Sequence, residues 1–175
     1  MSKLLNKAEL NRLFIDDLKG YYDVIGDCTN KPIIVFPLSS RHIQYKVYIF
    51  NCTNPPGGRS LGEYKIQLII PEQKHGQRGH FDESDGSTVL IVGFAIYDTT
   101  ENGVWVIWET DFHRDFAYSS NLQVKMETII DSITNNVFSV KKRGNGETIV
   151  VSDRKHLAQA IRLRQRIDLE KLLKE

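Results

Sequence analysis

The chain has 175 residues, 41% of them hydrophobic and 26% charged, with a formal net charge of +1. This is the make-up of one globular domain, or one domain with a helical extension, long enough to bury a core; it excludes a disordered chain. The near-neutral total gives no argument for nucleic acid from global charge, and the two cysteines, Cys28 and Cys52, are too few for a disulfide framework or a cysteine-rich zinc site.

Residues 3–19 predict an amphipathic helix, because Leu4, Leu5, Ala8, Leu10, Leu13, Phe14 and Leu18 follow a 3.6-residue period and Gly20 is a natural stop. The N-terminus lacks the long apolar core of a signal peptide, and no apolar run is long enough to cross a membrane. A cytoplasmic protein is therefore expected. Residues 21–27 read as a link. Ile33–Leu38 is a β-branched run of strand length, in which Pro37 marks an edge position or an ending. The donor-rich loop Ser39-Ser40-Arg41-His42 follows, and then Gln44–Phe50, which alternates like a half-buried strand. Asn51–Gly62, dense in Asn, Pro and Gly, reads as a loop.

Three central strands are expected at Gly62–Ile70, Val89–Tyr97 and Val104–Trp108, with a polar loop at Glu72–Gly86 between the first two. Asn102-Gly103 supplies the positive φ angles of a tight hairpin between the last two. Residues 122–126 read as a short strand and 127–135 as a helical turn. Val137–Lys142 and Glu147–Val151 flank a second hairpin at Arg143–Gly146. Ser152 or Asp153 then caps a long helix with Leu157, Ala160, Ile161 and Leu163 on its apolar side. That helix stops without a capping signal, which predicts a linker to a further domain.

The sum is about seven strands with short connections, a helix at each end and no βαβ alternation. It predicts a mainly β, largely antiparallel but mixed barrel or sandwich with flanking α-helices. The expected division is residues 1–29 as helix and link, 30–152 as the β-domain, and 153–175 as the C-terminal helix.

Phosphate loops, dinucleotide-binding glycines, a nucleophile elbow and zinc-protease motifs are all missing, which removes the commonest enzyme classes. Glu63-Tyr64-Lys65 matches the second half of a metal-dependent nuclease site, with Glu63 on Mg²⁺ and Lys65 steadying a water; the neighbouring strand 44–50 offers no second acid. His75, His80 and Asp82 share one loop, and His113 lies near Asp111, but a glycine-rich solvated loop is the better reading than zinc. Arg154–Arg166 holds five Lys or Arg residues, one His and no acid, either a phosphate-contacting face or a solvated helix face. Ser39–Gln44 and Tyr118–Gln123 are compact donor-rich groups suited to phosphates and base edges. Trp105 and Trp108, three apart on one strand, face opposite sides; packing is expected for both, with stacking on a flipped base as the alternative.

Taken in order, Glu63–Gln67, Phe81-Asp82, Asp85-Gly86, Leu90–Phe94, Trp108, His113 and Phe116–Val124 resemble the B3-like DNA-recognition domains of prokaryotic restriction endonucleases of the EcoRII, BfiI and LlaJI kind. The similarity spans residues 30–165. It implies a seven-stranded open barrel, a pseudobarrel, that grips the major groove between two strand-loop arms. The first arm falls on Ser39–Tyr45, with Ser39, Ser40, Arg41, His42 and Gln44 at the DNA. The second falls on His113–Gln123, with Arg114, Tyr118, Ser119, Ser120, Asn121 and Gln123, or alternatively on Lys141–Glu147. Lys74 and Arg78 join the interface, and Lys141, Lys142 and Arg143 add to its basic face. The expected function is sequence-specific binding of double-stranded DNA in a restriction system, by a domain that is itself non-catalytic. No cofactor is expected, and the nuclease or motor domain lies elsewhere in the chain or on a partner. The alternatives are a Mg²⁺-dependent endonuclease at Glu63 and Lys65, and a reader of methylated bases that flips a nucleotide.

Overall fold

The structure, a computed structural model, describes residues 4–54, 62–135 and 138–175. The expected loop at 51–62, the start of the first helix and the start of the strand at 137–142 lie partly outside the described residues.

The chain opens with α1 (Lys7–Asp17), whose start is set by a capping box: the Asn6 side chain accepts from the Glu9 N–H, and the Glu9 carboxylate accepts from the Asn6 N–H, both at 2.9 Å. Gly20, at φ +88°, turns the chain away. There follow β1 (Tyr22–Ile25), β2 (Ile33–Pro37), β3 (Tyr45–Asn51), β4 (Glu63–Leu68), β5 (Gly79–His80), β6 (Thr88–Ala95), β7 (Val104–Trp108), β8 (Asp115–Phe116) and β9 (Ser120–Lys125). The chain ends with α2 (Met126–Asn135), β10 (Ser139–Lys142), β11 (Thr148–Asp153) and α3 (Leu157–Lys174).

Seven strands form one mixed sheet in the order β1-β2-β3-β6-β7-β11-β10. All its pairs are antiparallel except β3 with β6. Strands β4 and β9 form a separate antiparallel ribbon, and β5 and β8 a very short one. The architecture is thus mainly β with flanking helices, as expected, around a seven-stranded mixed sheet.

The sheet carries a core on each face. On one side α1 and α3 cover Val35, Tyr45, Val47, Leu90, Val92, Trp105, Ile107 and Val150. Phe14 of α1 meets Trp105 edge-on at 5.3 Å. On the other side the β4–β9 ribbon and α2 cover Tyr48, Phe50, Val89, Ile91, Val106, Trp108 and Val151, with Tyr64, Ile66, Leu122, Val124 and Ile129 as their partners. Strand β7 is buried along its whole length because both layers press on it, and this is why it reads as an unbroken apolar run. Gly93 in β6 permits the close approach of the second layer: a Cβ there would lie 2.6 Å from the Cys52 sulfur and 2.9 Å from the Trp108 ring.

Several local expectations are corrected. Among the described residues eleven strands form rather than about seven, because the link at 21–27 holds β1, the loop at 72–86 holds β5 and the segment after Trp108 holds β8. Their few residues carry no usable alternation and are strands only through their tertiary partners. Residues 127–135 belong to a full helix, α2, rather than to a single turn. Ile69 and Ile70 fall beyond the end of β4. Pro37 is indeed the last residue of its strand, but β2 lies between β1 and β3 and is not at the edge.

Candidate nucleic-acid interface

In the β4–β9 ribbon, the register pairs Glu63 with Lys125, Lys65 with Gln123, and Gln67 with Asn121. Strand alternation puts these six polar side chains on one face, while Tyr64, Ile66, Leu68, Leu122 and Val124 turn inward and are buried. The ribbon is tied down from several sides. Thr53 bridges to Lys65 on the outer edge of β4, and the Trp108 indole N–H donates to the Gln123 carbonyl at 3.0 Å. The Lys65 ammonium donates to the Asn121 side-chain oxygen at 3.3 Å.

Beside the ribbon stands the β10–β11 hairpin. Its turn is shaped by Gly146 at φ +93° and closed by the Arg143 N–H donating to the Glu147 carbonyl at 2.7 Å. Between hairpin and ribbon lies a groove of about 410 Å³, whose lining includes Glu63, Gln123, Lys125, Lys141, Lys142 and Arg143. Four cationic residues and one carboxylate contribute to that lining. Lys125, Lys141 and Lys142 are exposed and have no hydrogen-bond or ion-pair partner among the described residues. Arg143 is held at 3.2 Å by Glu147, a fully buried carboxylate whose other oxygen lies 2.6 Å from His113 Nε2. The lining of the groove is therefore predominantly cationic.

The first arm predicted from the sequence is the β2–β3 loop. Ser39, Arg41 and His42 are exposed there, and Ser40 and Gln44 half-buried. Arg41 pairs with Asp23 at 2.9 Å and lies over the Phe36 ring, and the Gln44 amide donates to the Ser87 hydroxyl at 2.9 Å. The second arm starts on the far side of the segment 82–87. Arg114 pairs with Glu83 and with Asp111, and Arg78 with Asp115 at 3.0 Å. Tyr118 packs on His75 at 5.2 Å, with Lys74 exposed nearby in sequence. Ser119 takes a left-handed φ of +59°, and the Ser120 hydroxyl donates to the Ala117 carbonyl at 2.9 Å, shaping the entry into β9. Only Asn121 and Gln123 reach the ribbon face, and of the predicted set only Gln123 lines the groove.

The two arms are thus separated by an acidic bridge. Lys46 pairs with Asp85 at 3.1 Å, and Glu83 holds Arg114. The Ser87 N–H and the Lys46 ammonium hold the Asp85 carboxyl down at about 2. The arginines of both arms, like Arg143 of the hairpin, are paired with the protein's own carboxylates, whereas the hairpin lysines Lys141 and Lys142 have no such partner among the described residues.

Burial decides other predicted sites, and both tryptophans are packed as expected. Trp105 and Trp108 do face opposite sides, but both are fully buried, with Trp105 donating to Asp17 at 2.8 Å; no stacking slot for a flipped base is open at either. In the basic run 154–166, Arg154 is bound to Asp17 at 2.9 Å, and Arg164 is 1% exposed. Neither is a phosphate contact. Glu63 and Lys65 lie on the ribbon face, His75, His80 and Asp82 in the loop segments, and among the described residues no group of three or more His, Cys, Asp or Glu side chains is placed to hold a metal ion.

Sequence reasoning missed a buried ionic knot under the hairpin. Arg164 donates to the Thr148 carbonyl and hydroxyl at 2.5 and 2.8 Å and to Asp168 at 2.6 Å. Glu109, 1% exposed, accepts from the Thr148 N–H and from Lys171, both at 2.8 Å. Burial works to raise the Glu109 carboxyl, but the Lys171 and Thr148 bonds and the Arg164 charge outweigh it and hold it below its usual range. At Asp168 burial wins and lifts the carboxyl. A signal for Arg164 was present: it falls on the apolar stripe of α3, one heptad after Leu157.

Fold and groove together define a mainly β domain that sets a cationic groove beside a polar two-stranded ribbon. The chain belongs to the Methylase-associated X1 family, whose model matches residues 43–161. The match takes in the ribbon, the groove and the ribbon-side core, leaves out α1, β1 and β2, and begins just after Ser39–His42. No curated protein and no solved structure matches the chain. A methylase-associated family gives the chain a restriction-modification context, which is the broader part of what the resemblance implied.

Proposed function

We propose that the chain is a sequence-specific double-stranded DNA-binding domain of a restriction-modification system, with the B3-like pseudobarrel as its architecture. The core enclosed between the seven-stranded sheet and the ribbon, with the ribbon bridged at Thr53, supports that architecture. The observation that carries the reading is the groove, in which unpartnered Lys125, Lys141 and Lys142 stand beside a ribbon bearing Gln67, Asn121 and Gln123. A two-stranded ribbon fits the DNA major groove, where Asn and Gln amides match the adenine edge and lysines meet phosphates.

In this reading the ribbon is the arm that enters the groove. The hairpin Lys142–Glu147 holds the flanking backbone. The β2–β3 loop, with Ser39, Ser40, Arg41, His42 and Gln44, is a second contact further along, joined by Lys74, Arg78, Arg114 and Tyr118 through Ser120 once DNA competes for their partners. The domain needs no cofactor for binding and works in the cytoplasm with a methylase, nuclease or motor domain in the same or a partner chain.

Selection from a randomised duplex pool, in EDTA at moderate salt, tests this. A short enriched site is expected. Its affinity should fall with salt at a slope of about −3 to −4, since each neutralised phosphate contributes roughly −0.9 and the groove offers four cations. A pool that shows no enriched site sinks the proposal. Cleavage appearing on addition of Mg²⁺ and lost in Glu63→Ala would favour the endonuclease reading instead.

A further inference from the structure

We infer that Glu63 is a specificity-determining residue, a carboxylate that accepts a hydrogen bond from the exocyclic amino group of a base in the major groove. The inference rests on the DNA-binding reading above and names the feature of the base that the groove selects. Glu63 is the first residue of β4, on the polar ribbon face, and it lines the cationic groove with Gln123, Lys125 and Lys141. Its side chain makes no hydrogen bond or ion pair among the described residues, although Lys125 is its direct partner in the ribbon register. Four carboxylates near the predicted arms and the hairpin behave differently. Glu83, Asp111, Asp115 and Glu147 are each taken up by an arginine. Glu63 has no such partner among the described residues, although Lys125, Lys141, Lys142 and Arg143 line the same groove.

The chemistry of the ligand limits what such a group can meet. An ionised carboxylate is acceptor-only, and so is a phosphate, so Glu63 opposes the backbone that its lysine neighbours attract. In the major groove the donors are cytosine N4 and adenine N6; guanine offers only acceptors there, and thymine an acceptor and a methyl group. Lysines at the rim and a carboxylate on the ribbon therefore divide the work. The rim fixes the duplex, and Glu63 accepts cytosine or adenine while rejecting guanine and thymine at the same position.

The test is the random-duplex selection repeated with Glu63→Ala, Glu63→Gln and Lys125→Ala. For the unaltered chain the enriched site should contain one position restricted to a base with an amino group. Glu63→Ala should lose about tenfold discrimination at that position alone, of the order that one mismatched base pair costs, and should bind random duplex more tightly. Glu63→Gln, which both donates and accepts, should widen the same position rather than another. Lys125→Ala should weaken binding to all sequences evenly. A site unchanged in Glu63→Ala, or one weakened equally at every position, overturns the role of Glu63 while leaving the DNA reading intact. No enriched site for the unaltered chain overturns both. A melting curve for each variant identifies any that fail to fold, and Glu63→Gln, isosteric at a half-buried strand end, carries the test if alanine does.

Discussion

Glu109 follows directly on a strand buried along its whole length, and nothing in its neighbours announces that it will be buried too. Its charge survives there because Lys171, Arg164 and the Thr148 N–H converge on it from α3 and β11. Breaking one partner of such a buried set is costly, because the remaining charges stay desolvated. Glu109→Gln is expected to destabilise the domain by about 2–3 kcal/mol at neutral pH, near the lower end for a broken buried pair because the amide keeps an acceptor. The pH dependence follows from the direction of the shift. The folded carboxyl titrates below its unfolded counterpart, so its stabilisation is complete above the ordinary carboxylate range and fades as pH falls through the depressed value. Urea unfolding of the two proteins should therefore differ at neutral pH and converge in acid. A gap that stays constant with pH would show that Glu109 acts by shape alone.

The ribbon and the hairpin are legible in the sequence as strands, from their alternation and from the glycines of the Arg143–Gly146 turn. Their facing one another is not. Residues 63–68 and 120–125 pair across more than fifty intervening residues, and only that pairing sets Lys125 beside Glu63 and Gln123 beside Lys65. The pairing of charges is hidden for a related reason. Arg78 and Arg114 look like free cations in a linear reading, but the fold supplies each with a carboxylate. The hairpin escapes this, since Lys141 and Lys142 have none among the described residues. Removing both by Lys141→Ala and Lys142→Ala should weaken binding to every duplex alike and flatten the salt slope by about 1 for each lysine. The enriched sequence should not change. A slope left as it was would take the hairpin out of the interface.

At the scale of the whole molecule, one sheet serves two cores. Strands β3, β6, β7 and β11 send alternate residues into the α1–α3 layer and into the ribbon–α2 layer, so the two layers share their central strands. Trp105 reports the first core and Trp108 the second. In single-tryptophan variants, Trp105→Phe and Trp108→Phe, the remaining indole and the far-ultraviolet circular dichroism should share one urea midpoint. Each variant should lose about 1 kcal/mol or more, the worth of the indole hydrogen bond to Asp17 or to the Gln123 carbonyl. Separate midpoints would mean that the layers unfold independently.

The division between sequence and structure follows from the range of the forces involved. Periodicity, capping residues and turn glycines act within a few residues, so α1, α3, the central strands and both hairpins could be read directly, as could a mainly β fold with helices outside. The order of strands, the lone parallel pairing of β3 with β6 and the second, ribbon-side core depend on contacts between distant segments, and local pattern carries no record of them. The same holds for charge. A linear reading counts Arg41, Arg78, Arg114, Arg154 and Arg164 as equal to Lys125, Lys141 and Lys142. Only the tertiary structure supplies the carboxylates that occupy the first five and leaves the last three open beside Glu63.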